Sequence, residues 1–309
     1  MKTEMEKKAA NMFLGSAVKT LNFEAVKQAL EDGADINSFD DFSGFLSRVR
    51  MNDDEQLGLE MMELMYDSGY DFGGKKFDLD EKSFVELLIY MDDSVGFEHA
   101  DFIEKVIRDG ADVNAIDKHG NTPLHYAAQS LFSGPLVDLL LEHGANVNAV
   151  NIYGASSLHF ASSCGGAENV RTLVQYGADV NAIDDDDNTS LISLVCSGAD
   201  TDMVKDAMKV LLGAGANIDV QDMDKDCALR KAIFREDAEL VAFLLEHGAD
   251  TSIKDGEGLT ALEAATKEAE ESGRFEVLDV IRSFEEKKLL EANIQEKVVE
   301  VEKKNKVKI

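Results

Sequence analysis

Few residues in this 309-residue chain have types and spacing that could do chemistry. His125 follows a hydroxyl (Thr122) and precedes a phenol (Tyr126), an arrangement that could move a proton. Asp222, Asp224 and Asp226 alternate as the first ligands of a calcium loop do, but the sixth place is Cys227 rather than glycine and the twelfth is Ile233 rather than glutamate. Asp184–Asp187 sets four carboxylates in a row, enough to hold a cation only loosely. Cys164, Cys196 and Cys227 have no Cys-x-x-Cys or histidine companions, so they are expected as small buried side chains. An odd, sparse set of cysteines also points to a reducing, cytoplasmic setting rather than a disulfide framework. Neither His125 nor Lys75, Lys76 and His99, in an irregular stretch, belongs to a nucleophile–base–orienter set. We expect no catalytic residue, no metal site and no cofactor.

What His125 does depends on whether its surroundings recur, and they do. The strings EDGADIN (31–37), RDGADVN (108–114), EHGANVN (142–148), QYGADVN (175–181), GAGANID (213–219) and EHGADTS (246–252) are variants of one phrase, with a degenerate copy, DSGYDF, at 67–72. Their glycines, Gly33, Gly69, Gly110, Gly144, Gly177, Gly215 and Gly248, lie 33 to 41 residues apart. Each follows an apolar run such as LVDLLLEHG (136–144), spaced for a helix with one buried stripe. The glycine falls where that helix must end, in a left-handed conformation that a β-branched residue would adopt only at a cost of about 1–2 kcal/mol. Beyond it the chain extends into a finger closed by an Asp/Asn turn: DKHG, NIYG, DDDD, DMDK or DGEG. Thr122 is then placed to cap the next helix through its hydroxyl, with Pro123 at the first helical position.

This unit of finger, short helix, turn, longer helix and glycine resembles the ankyrin repeat, whose period is 33 and whose signature is T-P-L-H-x-A. TPLHYAA (122–128) matches that signature; SSLHFAS (156–162), TALEAAT (260–266) and TSLISLV (189–195) keep parts of it. His125 recurs as His159 and is replaced by Ile192, Arg230 and Glu263 in later copies. A position that repeats with the architecture is architectural: a histidine that hydrogen-bonds one finger to the next. The resemblance implies an all-α ankyrin-repeat α-solenoid of helix–turn–helix pairs with short hairpin-like fingers and about eight repeats.

Four segments are expected: divergent N-terminal repeats with a cap (1–70), an irregular insertion and divergent inner helix (71–100), regular repeats with a C-terminal cap (101–285) and a charged helical or disordered tail (286–309). The helix pairs fall near 4–16/22–32, 42–51/54–67, 81–91/98–109, 122–131/135–143, 156–164/167–176, 189–197/201–213, 227–235/237–247 and 260–270/273–285. No apolar run is long enough for a membrane span, and a net charge of −30 disfavours nucleic acid and anionic membranes. The same charge favours a basic partner.

The resemblance implies recognition of another protein, through the concave face and finger tips of the stack, by a monomeric, non-enzymatic adaptor or scaffold. Subtracting the frame leaves partner-contact candidates Lys118, His119 and Asn121; Ile152 and Tyr153; Asp185 and Asp186; and Met223, Asp224, Phe234 and Arg235. Ile152 and Tyr153 form an apolar pair at a loop tip, with the acidic Asp184–Asp187 tip in the next repeat. The alternatives are an acidic stoichiometric inhibitor or antidote masking a basic surface, or a host-directed bacterial effector.

Overall fold

The computed structural model describes residues 4–38, 55–69, 100–129 and 134–306. The helices expected at 42–51 and 81–91, and nearly all of the 71–100 stretch with Lys75, Lys76 and His99, lie outside the described residues.

Among the described residues the fold is all-α: fourteen α-helices, a 3-10 turn at Ile36–Ser38 and no sheet. Two compact units form. The first comprises Met1–Ala161 and Arg171–Ala178, the second Ser162–Val170 and Asp179–Ile309. The first unit contains α1 (Glu4–Lys19), α2 (Phe23–Glu31), α3 (Glu55–Asp67), α4 (Ala100–Arg108), α5 (Pro123–Gln129) and α6 (Gly134–Glu142). The division passes through α7 (Ser157–Ser163) and α8 (Ala167–Gln175). The second unit contains α9 (Ser190–Cys196), α10 (Thr201–Gly213), α11 (Ala228–Phe234), α12 (Ala238–Glu246), α13 (Ala261–Ser272) and α14 (Glu276–Lys306).

Short helices pack on the longer ones that follow them, α5 on α6, α9 on α10 and α11 on α12, and like helices pack on like: α9 on α11, α11 on α13, α10 on α12 and α12 on α14. The spacing of apolar residues dictates this. In α12, Leu240, Val241, Phe243, Leu244 and Leu245 are all buried, because a helix with neighbours on several sides needs more than one apolar stripe. In α5, Ala127 and Ala128 are buried with Leu124, and their small side chains allow close approach. In the first unit Leu14, Met61, Met65, Ile103, Leu124 and Leu140 are fully buried.

All seven phrase glycines have left-handed backbones, with φ from 79° at Gly33 to 109° at Gly110. At the end of α6 the Gly144 N–H donates to Leu141 O and the Ala145 N–H to Leu140 O, the two bonds that seal a helix C-terminus. The polar residues after the glycine have separate tasks. The first closes a local turn: Asp112, Asn146, Asp179, Asn217 and Asp250 each accept the N–H two residues on, at 2.9–3.1 Å. The second reaches the next repeat. Asn114 donates to Gly144 O at 3.1 Å and accepts from the Asn146 N–H at 2.8 Å; in the second unit Asn181 does the same to Gly215 and Asn217 at 3.2 and 2.8 Å. These asparagines are rungs between successive helix ends.

Candidate partner-binding surface

The fingers are built around one side chain each. Asp117 and Asn151 in the first unit, and Asp184, Asp222 and Asp255 in the second, accept the N–H groups two and four residues further on, all at 2.8–3.0 Å. The fourth residue of each turn is left-handed: Gly120, Gly154 and Gly258, but also Asp187 (φ 59°) and Lys225 (φ 67°). The hub uses its own carboxylate or amide to hold the turn, so the second and third residues have no frame duty. Those are Lys118 and His119, Ile152 and Tyr153, Asp185 and Asp186, and Met223 and Asp224, eight of the expected contact residues. Main-chain bonds set neighbouring tips in register: the Ile152 N–H donates to His119 O at 2.9 Å, and the Met223 N–H to Asp186 O at 3.0 Å.

Ile152 is 59 % exposed and Tyr153 55 %. The Tyr153 ring stacks on His119 of the preceding finger, with centroids 6.4 Å apart and planes 24° apart. Ile116 and Val150, beside the hubs, are also exposed. Asp117 is half-buried and keeps its charge, with its oxygens turned onto its own finger. Burial raises its pKa, but hydrogen bonds from Tyr126, Asn121 and His119 outweigh that and hold the carboxyl below its ordinary value. The Tyr126 hydroxyl donates to it at 2.6 Å, and burial together with that bond pushes the phenol up to about 12. In the second unit Asp185, Asp186, Asp187 and Asp224 are exposed beside Met223, which is 63 % exposed. Ile152 and Tyr153 thus belong to one compact unit and Asp184–Asp187 to the other.

Three expected residues sit elsewhere. Asn121 is only 7 % exposed; its amide donates to Tyr126 and Asp117 and accepts from Asn151, so it belongs to the frame and is withdrawn from the contact set. Phe234 (66 % exposed) and Arg235 lie at the end of α11 away from its finger, where Arg235 donates to the main-chain oxygen of Val195. Of the cysteines, Cys227 is buried as expected, whereas Cys164 is half-buried and Cys196 exposed.

His125 is a fully buried strut. Its Nδ1 accepts from the Thr122 N–H at 3.0 Å and meets the Thr122 hydroxyl at 2.8 Å; its Nε2 lies 3.1 Å from Ala155 O in the next finger. That pairing requires the neutral ring with its proton on Nε2, and burial lowers the imidazole pKa in keeping with it. The Thr122 hydroxyl therefore goes to the ring, whereas Thr189 and Thr260, followed by Ile192 and Glu263, cap helix amides. Ser156 and His159 repeat the first arrangement.

Sequence reasoning missed what replaces the strut at Arg230. Its Nε donates to the buried Asp255 at 2.8 Å and another guanidinium nitrogen reaches Glu268 at 3.2 Å, so an ion pair spans the gap that a histidine bridges elsewhere. The signal was available: a long cation at the histidine position, one repeat before an aspartate hub. Among the described residues, no group of three or more His, Cys, Asp or Glu is placed to hold a metal, and no helix is long and apolar enough to cross a membrane.

Repeated helix pairs joined by hub-closed fingers define a class of helical repeat array. The sequence profile of ankyrin repeats, in three copies, matches residues 91–184 and 187–289, and the chain belongs to that family. An ankyrin array is in general a protein–protein interaction module. Over 98 residues the chain is 33 % identical to an ankyrin repeat protein of Acanthamoeba polyphaga mimivirus, covering 32 % of this chain and 13 % of that one. Over 185 residues it is 28 % identical to the B-cell lymphoma 3 protein homolog of Mus musculus, covering 59 % of this chain and 39 % of that one. The chain thus spans well under half the length of both relatives.

Proposed function

We propose that this protein is a non-enzymatic adaptor or scaffold, a cytoplasmic monomer that holds another protein with its finger tips and the exposed end of α11. One observation carries the reading. The hub of each turn frees the two residues after it, and at 152–153 those residues are an isoleucine and a tyrosine that remain more than half exposed. Exposed aromatics are favoured interface anchors, and an interface of about 800 Å² per partner is the usual requirement.

The test is affinity capture from the source cell with immobilised wild-type chain and a variant carrying Tyr153→Ala, Asp185→Lys and Asp186→Lys. The variant, with its helical circular dichroism intact, should lose at least one protein that the wild type retains. An unchanged set of captured proteins would put the contact surface elsewhere.

A second reading, a stoichiometric inhibitor that masks a basic surface, draws support from the net charge of −30 and the exposed Asp185, Asp186 and Asp224. It requires association rates that fall steeply as salt rises. Salt-insensitive association would remove it and leave the adaptor.

A further inference from the structure

We propose that His125 is an acid-sensitive lock on the finger that carries Ile152 and Tyr153, holding it in place while the ring is neutral and letting it go when the ring takes up a proton. The inference rests on the finger surface proposed above and adds the regulation of that surface.

The lock follows from which groups donate and which accept. The Thr122 N–H donates to His125 Nδ1 at 3.0 Å, and Ala155 O lies 3.1 Å from Nε2. An amide N–H can only donate, so Nδ1 must stay bare while Nε2 carries the proton. A second proton on the ring would set N–H against N–H at Nδ1. The Thr122 hydroxyl, 2.8 Å away, can turn round and accept; the amide has no such freedom. In a fully buried site that clash is relieved by turning the ring, and Nε2 then leaves Ala155 O.

Ala155 is the residue that closes the finger. Its carbonyl also accepts from the Asn151 N–H at 3.0 Å, and its own N–H donates to the Asn151 side chain at 3.0 Å. His125 therefore grips the finger at the partner of its hub. The next residue, Ser156, donates its N–H to Nδ1 of the buried His159 at 3.1 Å, which likewise needs a bare nitrogen.

Burial disfavours the imidazolium of His125; Asp117 in the finger before favours it, and His159 on α7 opposes it. The net effect holds the ring below its ordinary 6.5. Asp117, itself held below its ordinary value, stays charged across this range. The corresponding positions of the second unit are Ile192, Arg230 and Glu263. Isoleucine has no proton to exchange, arginine keeps its charge, and Glu263 titrates below its ordinary 4.5.

Amide hydrogen exchange of the full-length chain, corrected for its intrinsic pH dependence, tests the lock. One pH unit below 6.5, proton linkage favours the open finger about tenfold. Protection at Thr122 and 151–155 should fall by about that factor between pH 7 and pH 5.5, while 222–226 and 255–259 hold within about twofold. In His125→Gln, whose amide takes up no proton in this range, the 151–155 response should shrink to that of those two fingers. His143→Gln, which removes an exposed ring at the end of α6, should keep the wild-type response. Nitrogen NMR of the wild-type histidine rings needs no variant to fold: at pH 7 the His125 ring should be neutral with its proton on Nε2.

The inference is overturned if 151–155 lose no more protection than 222–226, if His125→Gln keeps the wild-type response, or if the His125 ring carries its proton on Nδ1 at pH 7. These readouts use no partner. A lock that fails them leaves the contact surface standing, and a surface that fails affinity capture leaves the lock.

Discussion

Asp219 is the natural place to test whether the asparagine rungs stabilise the array. It occupies the rung position that Asn181 holds one repeat earlier and accepts from the Asp250 N–H at 2.9 Å. A carboxylate has no N–H to offer the carbonyl of Gly248, whereas Asn181 donates to Gly215 O at 3.2 Å. Asp219→Asn should therefore add one interrepeat hydrogen bond, with a net value of about 0.5–1.5 kcal/mol. It also exchanges a charge-assisted acceptor for a neutral one at the Asp250 N–H, which offsets part of the gain. The expected result is stabilisation of about 0.5–1 kcal/mol, or a rise of about 1–4 °C in the melting temperature of the second unit. Thermal unfolding followed by circular dichroism and calorimetry measures it. Asp219→Ala separates charge relief from the rung, because it removes the carboxylate without supplying a donor. If the alanine variant is stabilised as much as the asparagine one, or the asparagine variant melts no higher than wild type, the rungs do not stabilise the array as argued.

His125→Leu should cost about 1–3 kcal/mol in urea titration, since it leaves the Thr122 N–H and Ala155 O without the ring that joins them. Burial lowers the His125 pKa from 6.5, so its contribution is fully present above that pH and is lost as pH falls towards the folded-state value. Stability should therefore fall less steeply with acid in the leucine variant than in the wild type. Gly144→Val, at φ 88°, should lower stability by about 1–2 kcal/mol, and a melting temperature equal to wild type would contradict the left-handed helix end. Arg230→Ala should cost about 3 kcal/mol by leaving the buried Asp255 carboxylate without its cation, a loss that chemical denaturation should resolve from wild type.

The sequence was most legible where physics acts on near neighbours. A glycine that closes a helix is fixed by the next two residues and the preceding turn, and every phrase glycine has the expected backbone. Helix bounds in the regular repeats follow for the same reason: Ser190–Cys196 and Ala238–Glu246 lie within a residue or two of the spans read from apolar spacing. The architectural role of His125 was legible through its recurrence as His159. Pairings across repeats were not. Asn121 reads as one more polar loop residue until its partner thirty positions on, Asn151, is brought alongside. Likewise the Thr122 hydroxyl has two uses open to it, accepting from a helix amide or donating to the His125 ring, and only the packed geometry selects between them. The finger tips were legible for the opposite reason: with the hub and the left-handed position assigned, nothing in the frame claims the residues between.

That separation of hub from tip means the protein can change what it recognises without relearning how to fold. Substitutions at 118–119, 152–153, 185–186 or 223–224 leave each turn's own hydrogen bonds intact, so specificity can drift at those places under selection for binding alone. Gly256 is the exception that marks the limit. A Cβ there would sit 2.4 Å from the Asp224 carbonyl oxygen, so that one tip position must stay bare where its counterparts in the other fingers are free to vary.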